Sequence, residues 1–307
     1  MACNHPIYAI KLGQEVDTPF VNGKMILKIL PHRADIYSFA KLEDRYGVGN
    51  VIPLPCGKCL SCRESYTKDW SVRCLLEASL YKYNYFVTLT YDDSHINYAC
   101  RKDFTDFIDR LRYYCPGVRY FACCERGETT GRLHFHAILF NCDIPDLQFI
   151  GKREGNNVFD SKILKDKCWK CGLIDIGDVS MATCQYVAGY VMKKLRQHTD
   201  DEYTLMSLKP GIGADYFERN YEFIYDTDGV YIQGKKYKVP RYFDKLLDRL
   251  KPDMFRQVKY DRLNSIRQSV IADIVLHGLA RDEDLYDYRE GQAVARLKDK
   301  LKKRSAV

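Results

Sequence analysis

The sequence predicts an α+β protein, with a central antiparallel or mixed sheet of about five strands, flanking helices and a helical C-terminal region. Three observations carry this prediction. Runs rich in aromatic and branched residues, at 86–91, 118–125 and 133–140, stand between turn-forming residues, as strands do. Between the first two, Phe104, Phe107, Ile108, Leu111 and Tyr114 recur at helical spacing. The second and third are joined by the turn-like Arg126-Gly-Glu-Thr-Thr-Gly-Arg132, which suits a hairpin.

Taken in order, residues 1–62 hold short strand-like runs at 7–12, 25–30 and 48–54, then Pro55-Cys-Gly-Lys-Cys-Leu-Ser-Cys62. This segment is expected to pack on a core spanning 63–206. A helix follows from about 63 to 83. Its apolar Trp70, Cys74, Leu75 and Ala78 recur at helical spacing, and Arg63, Lys68 and Arg73 give it a basic side. The 104–114 helix is stopped by Pro116-Gly117. A further strand at 173–179 precedes a helix from about 180 to 196. This order implies a sheet with helices on one face. Poor alternation in the central strands nevertheless implies that both of their faces are covered. Residues 207–307 form a separate C-terminal region. It holds a Lys209-Pro-Gly-Ile-Gly213 loop, a hairpin at 230–239 around Gly234, then charged helices whose basic end, 296–304, reads as a solvated helix terminus.

The bulk composition narrows the class. The chain has 307 residues, 46% hydrophobic and 29% charged, as in a globular protein, and no run long enough to span a bilayer. The N-terminus lacks the basic and apolar regions of a signal peptide. A net charge of +7 suits a polyanionic partner without requiring one. Thirteen cysteines, with nothing directing secretion, are spaced more like metal ligands than a disulfide framework, which points to a reducing cytoplasm.

The most informative stretch is residues 131–140. Residues two apart on a strand share a face, so His134 and His136 project together while Leu133, Phe135, Ala137 and Leu139 fill the other side. Glu125, at the end of the preceding strand, can reach the histidine face, with Glu128 as a rival carboxylate. Two imidazoles and one carboxylate make a three-ligand metal site with open positions for substrate oxygens. The imidazoles favour manganese, whereas magnesium is far more available. Downstream, Tyr186, Tyr190 and Lys193 fall at i, i+4 and i+7 of a helix and share one face. Val187, Val191 and Leu195 line a separate apolar stripe. A phenol is a poor nucleophile at neutral pH, but a divalent cation and a nearby lysine would offset that on a phosphodiester. Packed tyrosines and ordinary histidines are the competing reading of these residues.

Together these motifs resemble the HUH superfamily of rolling-circle replication initiators, in the order strand 86–91, His134-Phe-His136, then Tyr186-x-x-x-Tyr190-x-x-Lys193. Glu125 lies where related viral initiators have their third metal ligand. The paired tyrosines are similar to those of microvirus initiators. Cys3-Asn-His-Pro6, the 55–62 segment, the 125–140 hairpin and Lys209-Pro-Gly-Ile-Gly213 bring the resemblance closer to the gokushovirus branch. It covers roughly the first two thirds of the chain. The resemblance implies a nuclease core at 63–206 that nicks single-stranded DNA at a viral origin in the bacterial host cytoplasm. One tyrosine becomes linked to the 5′ phosphate, the second permits rejoining, and host helicase and polymerase machinery extend the freed 3′ end. Gly189, between the tyrosines, departs from a good helix former, and Lys194 competes with Lys193.

The cysteine spacing adds a structural zinc held by Cys56, Cys59 and Cys62. Cys3, His5 or Cys74 is the fourth ligand, unless Cys168 and Cys171 supply a second pair. Reduced cysteines in a turn are the alternative. Two other functional classes compete: a non-enzymatic, zinc-stabilised nucleic-acid-binding protein, and a relaxase or transposase of a plasmid or mobile element.

Overall fold

The computed structural model describes the chain except residues 1–2, 4–5, 12–19, 22–23, 26, 31–38, 48–49, 96–99, 128–130, 154, 194–202, 280–281 and 306–307. The chain divides into two compact units, Met1–Ser65 with Gln257–Val307, and Tyr66–Arg256.

In the first unit β1 (Ile7–Lys11) is the middle strand of an antiparallel sheet. After a two-residue ladder of β2 (Phe20–Val21) and β3 (Lys24–Met25), β4 (Leu27–Ile29) pairs with one edge of β1. Helix α1 (Phe39–Tyr46) leads to β5 (Val51–Leu54), which pairs with the other edge. Ile10, Leu42 and Val51 form the buried cluster here, with Tyr8, Leu30 and Tyr46 against it. Helix α2 (Leu60–Ala78) starts in this unit and ends in the other.

The second unit is organised by β6 (Asn84–Tyr91), α3 (Arg101–Tyr114), β7 (Arg119–Arg126), β8 (Leu133–Phe140), β9 (Gln148–Arg153) and β10 (Asn156–Asp160). A π-helical turn (Ile163–Cys168), β11 (Gly172–Asp178), α4 (Met181–Lys193) and β12 (Thr204–Met206) follow. The strands form one seven-stranded, wholly antiparallel sheet in the order β12-β7-β8-β6-β11-β10-β9.

Strand periodicity sorts side chains between two cores. On one face Val87, Leu89, Tyr91, Phe135, Ala137 and Leu139 pack against Phe104, Phe107, Ile108 and Leu111 of α3 and against Trp169. On the other face Phe121, Cys123, Ile138 and Phe140 pack against Trp70 and Cys74 of α2 and Cys184, Val187 and Ala188 of α4. Trp70 stacks on Phe121 with ring centroids 4.6 Å apart. Burying a large apolar side chain of this kind contributes about 1.5–3 kcal/mol. Helices therefore cover both faces, not one: the α3 pattern and the α4 pattern bury against opposite sides of the same strands. The sheet also has two more strands than expected. Strands β9 and β10 are polar and largely exposed, and β12 is three residues long, so none carries a strand pattern.

Helix α3 begins where the Asp103 carboxylate accepts the Cys100 N–H (2.9 Å) and the Tyr91 hydroxyl (2.8 Å), which ties the helix end to β6. The remaining elements are α5 (Ala214–Asp226), the hairpin of β13 (Val230–Ile232) and β14 (Lys235–Tyr237), α6 (Arg241–Leu250), α7 (Pro252–Leu276) and α8 (Asp282–Ser305). They match the hairpin and the charged helices expected after residue 206. Among the described residues no helix is long and apolar enough to cross a membrane.

The Lys209–Gly213 loop, which contains a cis Lys209–Pro210 bond, is held by charge buried under it. Glu77, fully buried, accepts the Arg119 Nε–H (2.5 Å) and the Gly213 N–H (2.6 Å). Arg119 also donates to the Pro210 carbonyl (2.8 Å), and Arg73 Nε donates to the Ile212 carbonyl (3.0 Å). Gly213 has φ +83°, and an added Cβ would press on the Phe243 ring at 3.2 Å. Arg73 is not on a solvated basic side of α2, as its spacing suggested. It is buried between the rings of Trp70 (3.8 Å) and Tyr242 (4.1 Å), a cation–π sandwich that satisfies a guanidinium without exposing it.

Candidate active site

The site is built across three adjacent strands. Register pairs Glu125 with His134 and Cys123 with His136 on β7–β8, and Thr88 with His136 and Thr90 with His134 on β6–β8. Because Phe135 and its same-face neighbours are committed to the α3 core, both imidazoles are turned to the α4 side. Glu125 reaches them from β7. One of its oxygens, Oε1, lies 2.8 Å from Nε2 of His134 and 2.8 Å from Nε2 of His136. Glu125 and His136 are buried, and His134 is partly so.

The chemistry of these donors fits a cation. His134 Nδ1 lies 3.1 Å from the Arg132 carbonyl, which only accepts, so Nδ1 carries the ring proton and the neutral ring presents a lone pair at Nε2. That lone pair faces a carboxylate oxygen. Two acceptors 2.8 Å apart require a positive charge between them, a proton or a metal ion. The ligand atoms of the three residues all lie within 4.8 Å of one another. Neighbouring ligands of an octahedral ion at about 2.1 Å stand about 3.0 Å apart, so a small shift seats such an ion. Burial alone would raise the Glu125 carboxyl, but its hydrogen bonds to His134 and His136 outweigh this and hold it below the ordinary value. Burial pushes His136 below the usual imidazole range, against the pull of Glu125. A charged carboxylate and a neutral imidazole are the forms that bind metal.

Helix α4 brings a phenol to this site. It is seated by buried Cys184, Val187 and Ala188, and Tyr186 is 43% exposed. The Tyr186 hydroxyl is 3.4 Å from Nε2 of His136, and its ring meets the His136 ring edge-on with centroids 4.8 Å apart. Tyr190 and Lys193 occupy the next turn of the same helix; their side chains lie outside the described residues, as do Val191 (side chain), Glu128, Lys194 and Leu195.

Two contributors escape a reading of motifs alone. Thr88 Oγ1 lies 3.0 Å from His136 Nδ1 and orients that ring. Phe86 stacks on His136, with planes 6° apart, and meets Tyr186 edge-on. The signal was the alternation Phe86-x-Thr88-x-Thr90 opposite buried Val87, Leu89 and Tyr91, which marks the histidine-facing side of β6.

Cys3, Cys56, Cys59 and Cys62 form a second cluster, in the other unit, with sulfurs within 4.8 Å of one another. Cys3 thus completes the set whose fourth member the spacing left open. Cys74 and Cys168 are fully buried in the two cores of the sheet, and His5 lies outside the described residues.

Comparison with known proteins places this geometry. Over 283 residues the chain is 35% identical to the replication-associated protein ORF2 of Spiroplasma virus 4, covering 83% of each chain. The chain belongs to the phage replication-associated proteins. Another relative is the replication-associated protein VP4 of Bdellovibrio phage phiMH2K, 28% identical over 78% of this chain and 80% of that one. The replication-associated protein ORF4 of Chlamydia phage 1 is 30% identical over 64% of this chain and 54% of its own length. The family model for the replication-associated protein ORF2 family matches residues 84–195, which run from the start of β6 past the end of α4. That segment of this replication-associated protein contains the carboxylate, both histidines and both tyrosines. The resemblance to microvirus initiators drawn from the motifs is therefore met by relatives that are phage replication proteins. No solved structure matches the chain.

Proposed function

We propose that this protein initiates rolling-circle replication as a metal-dependent, site-specific endonuclease and strand-joining enzyme acting on single-stranded DNA at a phage origin. The observation that carries the reading is the Tyr186 hydroxyl 3.4 Å from a nitrogen of the Glu125–His134–His136 cluster. A protein that only bound DNA would have no use for a phenol at that place.

A divalent cation, magnesium or manganese, held by Glu125, His134 and His136 would polarise the scissile phosphodiester and stabilise its developing charge. Thr88 and the Arg132 carbonyl hold the two imidazoles in place, and Phe86 flanks both His136 and Tyr186. The Tyr186 oxygen attacks phosphorus, the bond to the 3′ oxygen breaks, and the phenolic proton is replaced on that 3′ oxygen. The products are a 5′-phosphotyrosine and a free 3′ hydroxyl that primes synthesis by host helicase and polymerase in the bacterial cytoplasm. Tyr190, one turn along α4, is assigned the second attack that closes the displaced strand, and Lys193 the stabilisation of negative charge on the phosphate.

The test is incubation of purified protein with a labelled origin oligonucleotide and manganese, read as a covalent band on a denaturing gel. Wild type forms the band, while EDTA and His136→Ala abolish it. Tyr186→Phe keeps the ring and loses the first cut. A covalent band of wild-type intensity in Tyr186→Phe would remove Tyr186 from the first step. Binding without any band in wild type would leave only a DNA-binding protein.

A further inference from the structure

We infer that Cys3, Cys56, Cys59 and Cys62 hold one structural zinc ion, which closes the open end of the N-terminal sheet. The inference does not rest on the nicking reaction. It begins with pairing: Ile7 of β1 stands opposite Leu54 of β5 at the end of their ladder. The chain just outside that pair carries Cys3 on one side and Cys56 on the other, so the antiparallel strands bring two cysteines together across 53 residues of sequence. Cys59 directly precedes α2, and Cys62 lies in its first turn.

The backbone is shaped around the sulfurs. Cys56 Sγ accepts the N–H groups of Lys58 (3.4 Å) and Cys59 (3.3 Å), and Cys3 Sγ accepts the Cys56 N–H (3.3 Å). Gly57, with φ +73° and open space where a Cβ would stand, lets the turn curl back in this way. Amide groups aimed at sulfur suit thiolates, the form that binds metal.

Distances select the occupant. A tetrahedral zinc at about 2.3 Å from each sulfur sets the sulfurs about 3.8 Å apart. Cys3 and Cys59 are 3.9 Å apart, and all four sulfurs fall within 4.8 Å. None of the cysteines is disulfide-bonded among the described residues. The Cys-x-x-Cys-x-x-Cys spacing also occurs in iron–sulfur proteins, but a four-iron cluster places each thiolate on a separate iron and spreads the sulfurs further. Demand is visible as well: Ile10, Leu42 and Val51 are the buried apolar residues serving this sheet, a core too small to hold three short strands without a staple.

The experiment measures metal in full-length protein purified under reducing conditions and dialysed against EDTA. Elemental analysis should find about one zinc per chain in wild type, in His134→Ala and in Cys171→Ser. Cys3→Ser should lose at least about fivefold of that zinc. Cobalt exchanged into wild type should give the intense charge-transfer and visible bands of a tetrahedral four-thiolate site, which keeps the test valid if Cys3→Ser fails to fold. Zinc-free yet folded wild type, a cobalt spectrum of fewer thiolates, unchanged zinc in Cys3→Ser, or iron with labile sulfide would each overturn the inference.

Discussion

Glu125→Gln exchanges one carboxylate oxygen for an amide NH2 of nearly the same size, so it tests the charge at the site with little change of shape. In the metal-free protein the new N–H can donate to an imidazole lone pair that now faces an acceptor at 2.8 Å, and folding should hold. Metal binding should not. Losing an outer partner of a ligand typically costs 10–100-fold in affinity, so losing a charged ligand should cost at least about 100-fold. With manganese at about 100 times the wild-type Kd, binding stabilises the native state by about 2.7 kcal/mol, and by only about 0.4 kcal/mol in the variant. In a unit of the size of Tyr66–Arg256, each kcal/mol moves Tm by about 2–4 °C. Manganese should therefore raise the wild-type Tm by about 5–11 °C and that of Glu125→Gln by about 1 °C. Calorimetry with and without metal reads both values. Equal shifts in the two proteins, or no shift in wild type, would refute a metal role for the trio.

Three further outcomes follow. Gly189→Ala meets no atom within 4 Å and should stabilise α4 by up to about 1 kcal/mol; if the helix must move between the two cuts, strand joining slows relative to the first cleavage in a time course on origin DNA. Gly172→Ala would set a Cβ 2.2 Å from the Thr90 carbonyl at φ +151°, beside the histidine strands, and should lower stability by about 3 kcal/mol or more in urea unfolding. Because Glu125 and His136 both sit below their ordinary pKa values, protons should begin to compete with metal at these residues only below pH 6.5, and manganese affinity by calorimetry should be level from pH 6.5 to 8 as far as they are concerned.

The histidine pair, the carboxylate nine residues earlier and the tyrosine helix were legible because each depends on the period of a single element. What depends on pairing between distant segments was not. Thr88 and Phe86 join the site only through the β6–β8 register, and Cys3 joins Cys56 only through β1–β5. Strands β9 and β10 have exposed, polar sides and so show neither alternation nor an apolar run. Arg73 misled because charge usually means solvent, and two flat rings met the guanidinium instead.

The buried acid beneath the Lys209–Gly213 loop bears on how short a working version of this protein can be. A chain shortened to end before the loop would strip Glu77 of the Gly213 amide and would take from Arg73 both the Ile212 carbonyl and the Tyr242 ring, although the sheet and α4 would be whole in sequence. Charges stranded in that way cost several kcal/mol, a large part of a domain's entire margin. The smallest independently folding piece should therefore reach through α6, well beyond the last residue that any proposed chemistry requires.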